Sequence, residues 1–144
     1  MTFALTVARL VRKGRNKLFG VERAVLAELG QLRERLPDVA GTLVASVDGL
    51  LIAHDLSGAE PETFAAMSAA QLGLGQQIAG AASRGDFQET VTRAAHGYIA
   101  TFAAGTSALL TVVAGPELNV GRLHHEARPV AARVGELVAP SGRP

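Results

Sequence analysis

The chain alternates between helical and strand-like spacing of its apolar residues. Residues 21–36 place Val25, Leu29, Leu32 and Leu36 three or four apart, a helical stripe stopped by Pro37. GTLVASV (41–47) and LLIAHD (50–55) are short apolar runs on either side of Asp48-Gly49, which predicts a hairpin with a type I′ turn. Pro61-Glu62 opens a second helix that Gly85 closes. From Phe87 to Ala95, Phe87, Glu89, Val91 and Arg93 alternate with Gln88, Thr90 and Thr92; polar groups on both faces predict an edge strand. YIATFAA (98–104) and ALLTVVA (108–114), joined by Gly105-Thr106-Ser107, are nearly all apolar and belong in the middle of a sheet. After Gly115-Pro116 a final helix begins near Leu118, with the stripe Val120, Leu123, Ala127, Val130, Val134 and Leu137, and with Pro129 expected to kink it. The order α-β-β-α-β-β-β-α predicts an α+β fold, a five-stranded antiparallel sheet flanked by helices.

The second helix departs from the usual pattern. TFAAMSAAQLGLGQQIAGAAS (63–83) contains no Asp, Glu, Lys or Arg. At 100° per residue, Phe64, Met67, Gln71, Leu74, Ile78 and Ala81 form one side, which reads as the stripe that packs on the sheet. The other side holds Ala65, Ala66, Ala69, Leu72, Gly73, Gln76, Gln77, Ala79 and Gly80, small or uncharged where a solvated face would carry charge. A helix without charge all round is expected to be covered all round. Three Gln and two Ser argue against a membrane span, so the expected cover is a second copy of the chain; an ordinary surface helix is the plain alternative.

Length fits one domain with enough chain to bury a core, placed at 21–139 with a basic arm at 1–20, helical or disordered, and a tail at 140–144. The absence of Cys excludes disulfides, thiolate metal sites and cysteine nucleophiles. The net charge of +1 conceals an asymmetry, because residues 1–20 hold Arg9, Arg12, Lys13, Arg15 and Lys17 and no acid, leaving the remainder mildly acidic. Phe3, Val7, Leu10, Val11 and Leu18 share one side of a helical wheel in this arm. Such a segment suits an anionic membrane surface or an acidic partner, or is simply a packed or frayed end. Five charges without interleaved aromatics do not argue for nucleic acid. The first residues put their charges after the apolar positions, the reverse of a secretory signal, and the expected location is cytoplasmic, with the inner membrane face as the alternative through the arm.

No constellation of catalytic residues is found. Adjacent His124 and His125 point to different faces of a helix, and His54 and His96 have no ligand-spaced neighbour, so no metal and no cofactor is expected. Gly73-Leu74-Gly75 lies inside a helix, not at a strand-to-helix turn, and no GxxxxGK[ST] loop exists. Ser107 is a hairpin-turn residue without an evident His and Asp. Arg84-Gly85-Asp86 reads as a helix end and turn. The expected class is a non-enzyme.

Val47-Asp48-Gly49-Leu50-Leu51-Ile52-Ala53, the uncharged helix 63–83 and Asn119-Val120-Gly121-Arg122-Leu123-His124-His125-Glu126-Ala127-Arg128, in that order, resemble the roadblock or dynein light-chain family in its bacterial MglB-like branch. The resemblance covers residues 22–138 and carries turn and packing signatures, none of them catalytic. It implies a roadblock-like (profilin-like) architecture and a homodimer in which the middle helices pack together and the edge strands pair into one sheet. On that basis the dimer interface is expected at Ala66, Ala69, Ala70, Gly73, Gln77, Gly80, Phe87, Thr90 and Thr92. It also implies a small Ras-like GTPase as partner, stimulated or recruited without an arginine finger, with Gln76, Gln77 and Arg84 as expected contacts. Two other readings stand beside it: a scaffold or membrane-surface adaptor acting through Arg9, Arg12, Lys13, Arg15 and Lys17, and a small-molecule sensor, for which the chain is poor in orienting polar groups.

Overall fold

The computed structural model describes residues 15–139, with side chains from Gly20 onward. The expectations for Arg9, Arg12, Lys13 and the tail lie outside the described residues; Arg15 and Lys17 fall within the first helix. In chain order the elements are α1 (Arg15–Arg35), β1 (Val39–Ser46), β2 (Leu51–His54), α2 (Pro61–Ala81), β3 (Glu89–Ala94), β4 (Gly97–Ala104), β5 (Ala108–Ala114) and α3 (Val120–Val138). Their type and order follow the hydrophobic pattern, although α1 begins at Arg15 and not at residue 21.

All strand pairs are antiparallel in the order β2-β1-β5-β4-β3. The almost wholly apolar β4 and β5 are interior, as their composition requires, and β3 is an edge. Both faces of the sheet are covered. Ala100, Phe102, Leu110 and Val112 pack with Leu29, Leu32, Leu123 and Val130 from α1 and α3. On the opposite face Leu43, Ala45 and Leu109 pack with Ala65 and Leu72 of α2, a much smaller core.

Three contacts fix α1 on this frame. Asp55, just after β2, accepts from Thr42 N and Thr42 Oγ1 at 2.6 Å each and from Arg33 of α1 at 2.9 Å. Glu28 accepts from Arg133 at 2.8 Å, and Arg122 donates to the Arg35 carbonyl at 2.9 Å. Moving up α1 from Glu28 to Arg35 thus moves down α3 from Arg133 to Arg122, so the two helices run antiparallel.

The Asp48-Gly49 hairpin is not type I′. That turn needs two consecutive positive φ values, and only Gly49 has one (φ 90°). Gly49 N donates to Ser46 O, and Ser46 N to Leu50 O. The loop is therefore a three-residue turn closed by a left-handed glycine. α3 is capped by Asn119, whose side chain accepts from Arg122 N at 3.0 Å, and the helix continues without a break through Pro129.

Candidate protein-interaction surface

α2 is well punctuated at both ends. Glu60 precedes Pro61 and its carboxylate accepts from Thr63 N and Thr63 Oγ1, each at 2.7 Å, and from Glu62 N at 3.3 Å. These bonds satisfy backbone donors that a helix start leaves open. The Thr63 hydroxyl first, then its backbone N–H, hold the Glu60 carboxyl below its ordinary pKa. At the other end Ser83 N donates to Gly80 O and Arg84 N to Ala79 O, the paired closure of a Schellman motif. Its left-handed residue is Ser83 (φ 55°), two positions before the glycine expected to close the helix.

The orientation of α2 corrects the expected stripe. The buried residues are Ala65, Ser68 and Leu72, whereas Met67, Leu74 and Ile78 are 57%, 58% and 60% exposed. The physical reason lies in the sheet beneath. Beside Leu43 and Leu109, that face presents the small residues Thr101, Ala103, Thr111 and Ala45, over which the helix sets its own small Ala65 and Ser68. A Cβ on Gly75 would collide with the Phe87 ring, and Gly49 leaves no more than contact distance to the Ala66 backbone. Of the small-residue side, Ala65, Ala69 and Leu72 are therefore taken up by the protein's own sheet, with Gly75 against Phe87, while Ala66, Gln77 and Gly80 stay exposed.

Hydroxyl groups fix the rotation of the helix. Thr111 Oγ1 donates to Ser68 Oγ at 3.0 Å, Thr101 Oγ1 to Gln71 Oε1 at 3.1 Å, and Gln71 Nε2 to Thr92 Oγ1 at 2.9 Å. The two threonine oxygens lie 3.3 Å apart; with each hydroxyl hydrogen already given, that contact is a close approach and not a further full bond. Thr101, Thr111 and Ser68 are buried, so turning α2 about its axis would leave unpaired hydroxyls inside the fold.

The outward side of α2 is consequently an uncharged apolar ridge of Met67, Ala70, Leu74 and Ile78. Beside it lies a groove of about 370 Å³ lined by Phe64, Met67, Ala70, Gln71, Leu74 and Ile99. Next to the groove runs the open edge of β3. Ala103 N donates to Gln88 O, and the register pairs Thr90 with Thr101 and Thr92 with Ile99. Since bonded and non-bonded pairs alternate in an antiparallel ladder, Thr90 and Thr92 bond inward to β4, and the backbone groups of Glu89, Val91 and Arg93 face out. A ridge and an unsatisfied strand edge side by side can accept a helix and a strand together.

The residues named from sequence are divided by this geometry. Ala66, Ala70, Gln77 and Gly80 are exposed on α2, Gly73 is half-buried with open space around it, and Thr90 and Thr92 lie on β3. Ala69 and Phe87 pack into the sheet-side core. Gln76, Gln77 and Arg84 are all exposed towards the carboxyl end of α2. Sequence reasoning missed Met67, Leu74 and Ile78 as surface residues, because it assigned them to the core. The signal that could have found the true orientation is the pairing of Ser68 and Gln71, three apart on the helix, with threonines in two otherwise apolar strands.

His124 is half-buried edge-on to Phe102, with ring centroids 6.1 Å apart, and its Nε2 lies 3.9 Å from Glu89, which Arg128 also binds through Nε at 2.8 Å. Among the described residues no three His, Asp or Glu converge as a metal site, and no helix is long and apolar enough to cross a membrane.

Comparison with known proteins agrees with this frame. Among curated proteins none matches the sequence. The fold is similar to that of the gliding protein MglB from Thermus thermophilus (TM-score 0.71, 18% identity, covering 81% of this chain and 90% of that one). It is similar also to an MglB described with a tetrameric arrangement (0.73, 19%, 81% and 89%) and to a Roadblock/LC7 domain from Streptomyces avermitilis (0.71, 22%, 77% and 94%). The Roadblock/LC7 domain model matches residues 25–114, more than half of the chain, from the middle of α1 to the end of β5. The chain belongs to the Roadblock/LC7 domain family.

Proposed function

We propose that this protein is a non-enzymatic homodimeric regulator or platform that binds a small Ras-like GTPase and modulates its nucleotide cycle or its location in the cytoplasm. The observation that carries the reading is the uncharged ridge of Met67, Leu74 and Ile78 beside the open edge of β3. Large side chains left more than half exposed in a row are the mark of a face that is covered in use. A two-fold axis through α2 presents that face to itself and brings two β3 edges together, which is the simplest closed assembly. The tetrameric arrangement ascribed to an MglB of the same fold supports self-association. The exposed carboxyl end of α2, with Gln76, Gln77 and Arg84, then recurs at each end of the antiparallel helix pair and forms the platform for the partner.

Light scattering on the full chain tests the assembly: a mass of twice 14.9 kDa is expected, and a monomer throughout the micromolar range overturns it. For the partner, immobilised protein is offered purified Ras-like GTPases of the source genome, loaded with a non-hydrolysable GTP analogue or GDP. Nucleotide-dependent retention that falls in Gln76→Ala, Gln77→Ala and Arg84→Glu is expected. A dimer that retains none of them in either state removes the GTPase and leaves the scaffold.

A further inference from the structure

A second concave surface lies away from the ridge, where the β4–β5 turn meets the ends of α2 and α3. One part, of about 580 Å³, runs along α3 past Ala132, Gly135 and Glu136 to Ala139. The other, of about 420 Å³, runs under the end of α2 past Gln76, Gly80 and Asp86. Both are lined by Phe87, Ala103, Gly105 and Thr106, so they form one trough across this end of the domain. Its floor is apolar because α3 touches the turn there: a Cβ on Gly135 would meet the Gly105 nitrogen at 2.6 Å. Its charged groups are three carboxylates, Asp86, Glu89 and Glu136, against one guanidinium, Arg128, which is paired with Glu89. Among the described residues Asp86 and Glu136 have no ion-pair partner.

The antiparallel register of α1 and α3 brings the start of the chain to the same end. Seven residues separate Glu28 from Arg35, and seven separate their partners Arg133 and Glu126. Moving back by the same amount from Glu28 reaches Val21, level with the finish of α3, and Val21, Leu137 and Val138 pack against one core. From Val21 α1 runs six residues further to Arg15, about 9 Å past the finish of α3, so the amino-terminal arm starts just beyond Ala139 and reaches the trough by turning back. Its sequence carries an apolar set, Phe3, Val7, Leu10 and Val11, together with Arg9, Arg12 and Lys13, and Gly14 stands immediately before α1. Fourteen residues span about 21 Å as helix, or about 46 Å extended, enough to pass a helix about 10 Å wide.

We infer that residues 1–14 dock in this trough on their own domain, apolar side against Phe87 and Ala103, basic side towards Asp86 and Glu136. Size, an apolar floor and opposite charge converge on one segment of the chain itself.

The lack of cysteine makes the test clean. Thr6→Cys is combined with Ala132→Cys in the trough, or with Ala27→Cys on the exposed side of α1 as control, and disulfide formation is followed on non-reducing gels in dilute protein. The trough pair is expected to close within one chain about tenfold faster than the control, beyond what tethering alone provides. Asp86→Lys with Glu136→Lys should slow it about fivefold at low salt, the scale of two exposed ion pairs, and Arg12→Glu with Lys13→Glu should restore the rate in that background. Restoration cannot come from a protein that has failed to fold. Equal rates for the two pairs overturn the proposal, as does a disulfide formed only between chains. Protection of the arm only by vesicles of phosphatidylcholine and phosphatidylserine, with equal rates without them, also overturns it and assigns the arm to a lipid surface.

Discussion

Leu72 and Leu74 stand two residues apart on α2 and separate the two orientations of this helix. Leu72 is 2% exposed and packs on Leu43 and Leu109, whereas Leu74 is 58% exposed. Truncating Leu72 to Ala removes buried methyl groups and leaves a cavity, so the domain should lose about 2–5 kcal/mol of folding stability. Truncating Leu74 to Ala leaves the folded monomer within about 0.5 kcal/mol, because water already covers most of the side chain. Its effect falls on association. Fully burying a leucine contributes about 1.5–3 kcal/mol, and a little over half of that surface remains to be buried; about 1 kcal/mol is lost per copy on truncation. In a two-fold dimer the loss counts twice, so the dissociation constant should rise about thirtyfold. Urea unfolding measures the first quantity and sedimentation equilibrium over a dilution series the second. If Leu72→Ala unfolds like the unsubstituted chain while Leu74→Ala is destabilised by a core-sized amount at every concentration, the helix is turned the other way and the reasoning fails.

Four further outcomes are expected. Arg93→Pro should weaken dimerisation with little change in monomer stability, because its N–H faces out, while Thr90→Pro removes an inward ladder bond and should destabilise the domain itself; circular dichroism melts beside light scattering separate the two. Ser83→Gly relieves a left-handed serine and should raise stability by about 1 kcal/mol in urea titration, whereas a loss would contradict the Schellman closure. The lowered pKa of Glu60 means that its cap stabilises α2 fully above the unfolded-chain pKa and loses effect as pH falls through the folded one. The melting difference between the unsubstituted chain and Glu60→Gln should accordingly be present at pH 7 and vanish on acidification; a constant difference would refute the cap. Thr111→Val should cost about 1–3 kcal/mol by stripping Ser68 of its donor, and Ser68→Ala in the same chain should recover part of it, as a double-mutant cycle would record.

Element order, the interior place of β4 and β5 and the edge place of β3 were all legible, because strand composition reports how many neighbours and covered faces a strand has. The rotation of α2 was not. Its wheel is uncharged on every side, so periodicity gives no direction, and size misled: Leu72 is buried while Met67, Leu74 and Ile78 are exposed, because hydroxyl bonds from Thr111 to Ser68 and from Thr101 to Gln71 fix the rotation. In sequence Thr101 and Thr111 look like interruptions of two apolar runs. The hairpin failed for a similar reason. Asp48-Gly49 fits two turn types, and the choice between them is made by the bond from Ser46 N to Leu50 O across three residues, not two. Of the residues expected at the interface, Ala66, Ala70, Gln77 and Gly80 lie exposed on α2, while Ala69 and Phe87 pack against the sheet-side core.

The order of strands also governs how the molecule is born. β1 has β2 on one side and β5 on the other, and its ladder to β5 joins Val39 to Ala114. A nascent chain that has not yet delivered β5 from the ribosome holds two disconnected hairpin fragments and no central sheet. The threonine at 111 that orients α2 arrives with that same strand. In the proposed dimer, two copies emerging on one message would therefore have no finished ridge to exchange until nearly the whole domain has been synthesised, which would favour pairing between completed chains and make their dilution, not the rhythm of translation, the control on assembly.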